Sequence, residues 1–346
     1  MKSFKVIIAV FAVLLAAFVT YKFVTNKQVE RLDVYNWPYY LDRDILAKFE
    51  KEHNCKVNYK EFPTNEDLLN DIENTSTKWD VIFPTDYMVE IMISRGLLSE
   101  IDKSKLTNFE NLDDNFLYKS YDIENKYSLP FGWACTGIGY NKSQVKDADS
   151  YKIFWDEQYK NRIGLLDDIR FTIAMPLLMR GYSINTTNKE ELSDIESLLL
   201  KQKPLVKAYN SDNYIDLLKS GEVHLVYGYG TDIIQASRID PNLSFVIPKE
   251  GGVLYIDNMC IPKKSDNKEL AHKFIDFLLN AENAANIINE KWFVVPNKAA
   301  KSLVNKEILN NEGVFPPDSV LLKCQMLHDL GDEIRLYENI WKRLKQ

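Results

Sequence analysis

VLYIDNMCI, residues 253–261, is the stretch on which the fold turns. Its apolar, strand-favouring composition predicts an extended segment. One residue does not belong there: Asp257, in the middle. An aspartate in an apolar strand is disfavoured unless something compensates it. The compensation can be a hydrogen bond to nearby backbone, an arginine, or a bound cation, and the residues alone leave these open. An extended strand at this place, following one α/β unit and leading into a helical tail, reads as a passage from one lobe to another.

Working outward, the chain before it alternates strand and helix. Leu32–Asn36 is a short strand, and Asp42–Glu52 is a helix with Ile45, Leu46 and Phe49 on one face. Lys56–Phe62 is a second strand. Thr64-Asn65-Glu66-Asp67 resembles a capping box opening the helix that carries Leu68, Leu69 and Ile72. Asp80–Phe83 is a third strand, and the helix Met88–Arg95 ends at Gly96. This βαβαβ start predicts an open α/β sheet with ligand loops at the carboxyl ends of its strands. Tyr127–Trp133 and Thr136–Asn141 read as two strands joined through small residues, a first passage between lobes. A second α/β unit follows, with strands at Ile163–Leu166, Val206–Tyr209, His224–Tyr229 and Phe245–Ile247. After Val294-Val295-Pro296 the chain is mostly helical. The expected architecture is two α/β lobes hinged by two crossover strands, with a cleft between them. Residues 31–138 and 257–303 are assigned to lobe 1, and 139–256 and 304–346 to lobe 2.

The bulk properties exclude several functions. A chain of 346 residues can bury a full core in two domains. Lys2 and Lys5 precede an apolar run from Val6 to Val19, the pattern of a secretory signal. No Cys follows it closely, and Ala16 and Ala17 make a poor cleavage site. Residues 1–26 are therefore expected to direct export, as a cleaved signal or as a retained N-terminal anchor. Removing the three lysines of that segment takes the net charge from −7 to −10. An acidic exported domain repels phosphate, so no nucleic-acid partner is expected. Cys55, Cys135, Cys260 and Cys324 show no metal-site spacing, and the four histidines are scattered. Cys135 and Cys260 read as small core residues. No nucleophile elbow, Ser/His/Asp order or Walker loop is found, so no enzyme, metal site or cofactor is expected.

What remains is a set of rings and acids. Trp37, Tyr40, Tyr87, Tyr229 and Tyr255 fall at strand ends or in the loops after them, as do Asp168 and Asp257. Aromatic faces cover methylene groups and attract ammonium charge, and carboxylates pair with ammonium ends. Such a set suits a flexible organic cation. Core packing is the competing reading for each ring, and helix capping the competing reading for Asp168.

Nine segments in order carry a resemblance: VYNWPYY, IFPTDYMVE, SEIDKSKLTNFENLD, YSLPFGW, TGIGYN, GLLDD, YNSDN, PKEGGVLYIDN and VPNKAAK. In these the chain resembles the spermidine/putrescine-binding proteins of bacterial ABC importers, from about Val34 to the C-terminus. The resemblance implies a type II periplasmic-binding fold that closes on a polyamine and hands it to a membrane permease. Carried over position by position, the ligand residues are Trp37, Tyr40, Thr85, Tyr87, Asp168, Tyr229, Tyr255, Asp257 and Phe293. Tyr229 and Tyr255 stand where the family often has Trp, and Phe293 where it often has Tyr. Two family acids are replaced, by Tyr39 and Phe171, and a family glutamine aligns with Leu327. Asp168 and Asp257 remain as matched carboxylates, with Asp86 open as a third. Fewer acids suit a ligand with fewer charges, so putrescine is expected over spermidine. A monomer is expected, in the periplasm or otherwise outside the cytoplasm. A polyamine sensor, or a binder of another small ligand, is the alternative.

Overall fold

The structure is a computed structural model that describes residues 29–346. The expected export segment lies outside the described residues. Among those described, no helix is long and apolar enough to cross a membrane.

The first lobe is built on β1 (Glu30–Asn36), flanked in parallel by β2 (Cys55–Glu61) and β3 (Val81–Ile82). Leu32, Val34 and Asn36 alternate as the fully buried positions of β1, the two-residue period of a strand packed on one face. Helices Arg43–His53 and Asn65–Asn74 make the two crossovers. The second opens where the capping sequence predicts, with the Thr64 hydroxyl accepting from the Asp67 amide at 3.0 Å. Next comes β4 (Ser128–Asn141), a single strand rather than the two expected. Its small residues, Ala134 to Gly139, do not break it. They let it pass close to its neighbours.

The second lobe carries β5 (Ile163–Leu165), β6 (Val206–Tyr209), β7 (Leu225–Tyr229) and β8 (Leu243–Val246). The chain then returns through β9 (Val253–Cys260). The strands join in the order β2-β1-β3-β9-β4-β7-β5-β6, with β8 on β4. From Ser128 to Cys135, β4 pairs antiparallel with β9; from Thr136 to Tyr140 it pairs with β7. The chain thus changes lobes between Cys135 and Thr136.

Each lobe has its own core. Phe49, Phe131, Phe274 and Ile288 are buried in the first, which Phe62, Trp79 and Met92 extend. Leu177, Tyr227 and Tyr337 are buried in the second. The C-terminal stretch is split differently from the sequence-based division. Val304, Ile308 and Val314 lie in the first core, whereas Leu327, Tyr337, Ile340 and Leu344 lie in the second. Apolar spacing shows that these turns bury a face, but not against which lobe. The chain therefore crosses a third time, near Leu321–Leu327. There β10 (Gln325–Met326) lies parallel to Val253–Leu254.

The crossing strands touch backbone to backbone. A Cβ on Gly252 would stand 2.3 Å from the Thr136 carbonyl oxygen. Backbone cannot swing aside as a side chain can, so Gly252→Ala is expected to destabilise the fold by roughly 1–3 kcal/mol. Urea unfolding measures this; a wild-type midpoint would show that the crossing has slack.

Candidate functional site

Asp257 lies within β9 and is 2% exposed. Thr85, from the loop after β3, forms an isolated antiparallel bridge opposite it. The Thr85 hydroxyl donates to Asp257 Oδ1 at 2.7 Å. The Tyr40 hydroxyl, from the loop after β1, donates to Oδ2 at 2.6 Å. The Trp37 indole N–H also acts on this carboxylate; it is buried and reaches hydrogen-bond geometry with no protein atom. Among the described residues no Lys, Arg or His pairs with Asp257. Burial pushes its carboxyl up to about 6, against the pull of the hydroxyls and the indole.

Rings line both sides of this carboxylate. Tyr40 stacks on Phe293 with centroids 4.8 Å apart. Phe293 occupies the space over Gly132, where a Cβ would fall 1.9 Å from its ring. At 4% exposed, Phe293 backs Tyr40. Trp37 packs on Phe62. From the second lobe, Tyr229 at the end of β7 meets Tyr255 edge to face at 5.9 Å. Phe171 lies edge-on to Tyr229 at 5.2 Å and to Tyr255 at 6.2 Å. It props the two rings from behind. Thr231 and Tyr255 share a hydrogen bond at 3.3 Å.

Asp168 plays the capping part for helix Ile169–Arg180. Its Oδ1 accepts from the Phe171 amide at 3.0 Å. Capping occupies one oxygen and leaves the other for a second partner. Burial pushes this carboxyl too up to about 6, and the charge of Glu66 adds to the rise. Arg170 does not clamp Asp168. Its guanidinium donates to the His328 carbonyl at 3.0 Å and to Asn185 Oδ1 at 2.7 Å.

Three residues named in the sequence lie apart from this set. Asp86 is 1% exposed and turns to the backbone, accepting from the Tyr87 amide at 2.7 Å and the Ile256 amide at 3.1 Å. It ties its helix to β9. Tyr39 is 83% exposed. Leu327 is buried in the second core.

Sequence reasoning missed three contributors, Asn65, Glu66 and Asp232. Asn65 reaches both Thr85 Oγ1 and the Tyr87 hydroxyl at 3.1 Å through its side-chain amide. The Tyr87 hydroxyl in turn contacts Glu66 Oε1 at 3.3 Å. Asp232, three residues beyond Tyr229, accepts from the Tyr214 hydroxyl at 2.8 Å. Desolvation raises its carboxyl. Glu66 and Asp232 both lie in the first turn of a helix, where acids are ordinary. Only their position after strand ends marked them.

These acids act on the tyrosine hydroxyls around them. Burial first, and then Glu66 and Asp168, hold the Tyr87 hydroxyl well above its usual range. Burial, then Asp257 and Asp232, do the same for Tyr40. Tyr229 feels Asp168 and Asp232 together.

A family model described as bacterial extracellular solute-binding protein matches residues 44–315. The chain belongs to this family. As a solute-binding protein it is 35% identical over 319 residues to the spermidine/putrescine-binding periplasmic protein of Salmonella typhimurium, covering 91% of this chain and 92% of that one. It is 32% identical over 332 residues to the putrescine/cadaverine-binding protein of Pseudomonas aeruginosa, covering 91% and 94%. Among solved structures, the substrate-binding protein of a spermidine/putrescine ABC transporter from Streptococcus pneumoniae superposes with a TM-score of 0.85. It shares 30% identity over 91% of this chain and 98% of that one. The resemblance carried by the nine quoted segments stands, and so does the two-lobed α/β fold.

A carboxyl whose folded-state pKa is raised loses favour as it ionises. The ligand-free solute-binding protein is therefore expected to lose stability as pH rises from about 4 to about 6. With its carboxyl shifted from 3.8 to about 6, Asp257 costs on the order of 3 kcal/mol above that window. Urea unfolding across pH 4–7 should show a shallower loss in Asp257→Asn. Parallel curves for the two proteins would mean that Asp257 ionises without penalty.

Proposed function

We propose that this protein captures a polyamine in the cleft between its lobes and delivers it to the permease of an ABC importer. The carrying observation is Asp257: a buried carboxylate whose partners are neutral hydroxyls, set among aromatic faces. A buried charge of this kind calls for an opposite one. An ammonium group satisfies it, and the rings of Trp37, Tyr40, Tyr87, Tyr229 and Tyr255 suit the methylenes that follow. Each cation–π contact contributes about 0.5–2 kcal/mol. Each charge-assisted hydrogen bond contributes about 1.5–3 kcal/mol.

Closure follows from the origin of these groups. Trp37, Thr85 and Tyr87 come from the first lobe, Asp168 and Tyr229 from the second. A ligand touching both favours the closed state, because only there are all contacts made. A permease that reads the closed shape then receives only loaded protein. No covalent step is required. The protein acts as a monomer outside the cytoplasm, a place that the lysine-flanked apolar run of residues 1–26 suits.

Putrescine is favoured over spermidine. With Glu66 and Asp232 the cleft has more acids than the two matched by family resemblance, so their number alone does not argue for a dication. Their grouping does. Glu66 and Asp168 act together on Tyr87, whereas Asp257 accepts from the Tyr40 hydroxyl. A diamine places one ammonium at each end and only methylenes between. The secondary amine of spermidine would meet rings where it needs an acid.

Calorimetry with putrescine, cadaverine, spermidine and spermine tests this directly. Putrescine should bind most tightly, and Asp257→Asn should weaken it more than tenfold with folding intact. Tight binding of none of the four would end the polyamine reading; tighter spermidine would end only the preference. Tyr255→Ala should weaken binding while Tyr255→Trp preserves it, and equal losses would rule out ring stacking. Protons compete with the ammonium for Asp257 and Asp168. Affinity should therefore fall as pH drops below about 6, and a flat profile from pH 5 to 8 would exclude both carboxylates.

A further inference from the structure

Cys135 and Cys324 are separated by 189 positions in sequence, yet their sulfurs lie 3.6 Å apart. All four cysteines are free thiols. The place where this pair meets is the pivot of the molecule. Cys135 is the last residue of β4 to pair with β9, opposite Leu254, and Thr136 is the first to pair with β7. Cys324 leads directly into β10, which pairs with Val253 and Leu254. The Gly252 amide points at the Cys324 sulfur from 3.4 Å. All three segments that run between the lobes therefore converge on these two sulfurs. Cys135 is 3% exposed, while Cys324 is half-buried and open to a small reagent.

We infer that Cys135 and Cys324 form a reversible disulfide across the hinge, closed by a disulfide oxidant and reopened by a thiol. The side chains are already in contact, so closure needs only a small approach of the sulfurs to bonding distance. The two thiols have distinct parts. Cys135 donates its hydrogen to Cys324. That bond and the Gly252 amide hold the Cys324 thiol below its usual range, while Cys135 is pushed up by giving its hydrogen to Cys324 and by burial. Cys324 is thus the attacking thiolate.

The exchange balances in two steps. Cys324 Sγ attacks one sulfur of the oxidant disulfide, such as oxidised glutathione, and expels one glutathione thiolate. Cys135, losing its proton, then attacks Cys324 Sγ in the mixed disulfide and expels the second. Two protein thiols are oxidised by two electrons, and one disulfide is reduced to two thiols that take up the two protons. The new bond ties the third lobe-crossing segment to β4 at the pivot. It also closes a long loop, which restricts the unfolded chain. This inference does not depend on which ligand fills the cleft.

The test is peptide mapping of the purified protein after incubation with oxidised glutathione at pH 8, alkylation, and digestion without reductant. A Cys135–Cys324 cross-linked peptide is expected, with Cys55 and Cys260 alkylated as thiols. The melting temperature should rise on oxidation and return on adding dithiothreitol. Cys324→Ser should show neither the cross-link nor the rise. Pairing of other cysteines, a glutathione adduct on Cys324 that never resolves, or no reaction at all would each overturn the inference. The mapping result on the wild type decides it even if the variant folds poorly.

Discussion

One carboxylate held between two hydroxyls organises this protein. Asp257 lies in an apolar strand, and Thr85 and Tyr40 each donate one hydrogen bond to it. Those bonds orient the carboxylate and lower the cost of its burial, but they bring no positive charge. An arginine in their place would have satisfied the site permanently and left a ligand nothing to supply. Neutral donors leave the charge unanswered while fixing its direction. The loops after β1 and β3 converge on it, which is why residues distant in sequence share one site. The crossover strand carries it, so the group that demands a partner is built into the part of the fold that links the lobes.

The aromatic lining follows the same economy of placement. Tyr40 is both a ring and a donor: its hydroxyl serves Asp257 while its face lies on Phe293. Phe171 contributes no charge and packs edge-on against both Tyr229 and Tyr255. Asp257 comes from β9, but the other acids come from helix starts: Asp168 is an N-cap, and Glu66 and Asp232 lie in first turns. There Asp168, Glu66 and Asp232 sit near backbone amides that favour negative charge even without a ligand.

Much of this architecture could be read before any coordinates. The alternation of strand and helix up to Gly96 set out the first sheet, since each period is written locally in apolar spacing. Asp257 stood out because a charge in an apolar run violates a simple rule. Other features resisted for physical reasons. Gly and Ala between Trp133 and Gly139 read as a break, whereas in the fold they allow close strand approach. Val304, Ile308 and Val314 read as buried residues of the tail, but apolar character does not name the lobe they pack against. Asp232 and Glu66 look like ordinary helix-start acids, and their contacts with the Tyr214 and Tyr87 hydroxyls arise only when distant segments are brought together. Asp86 was left open by the sequence: it neighbours Thr85 and Tyr87, yet its oxygens are taken by the Tyr87 and Ile256 amides.

The three passes between lobes have a bearing on how the chain reaches this form. The first core draws on Leu32 and also on Val314, and the second on Ile138 and also on Leu344. Neither half is a contiguous piece of polypeptide. While the chain is emerging from the ribosome, no lobe can bury its full interior until nearly all of it has been made. Each half therefore completes its interior only after the late residues Val314 and Leu344 have been made.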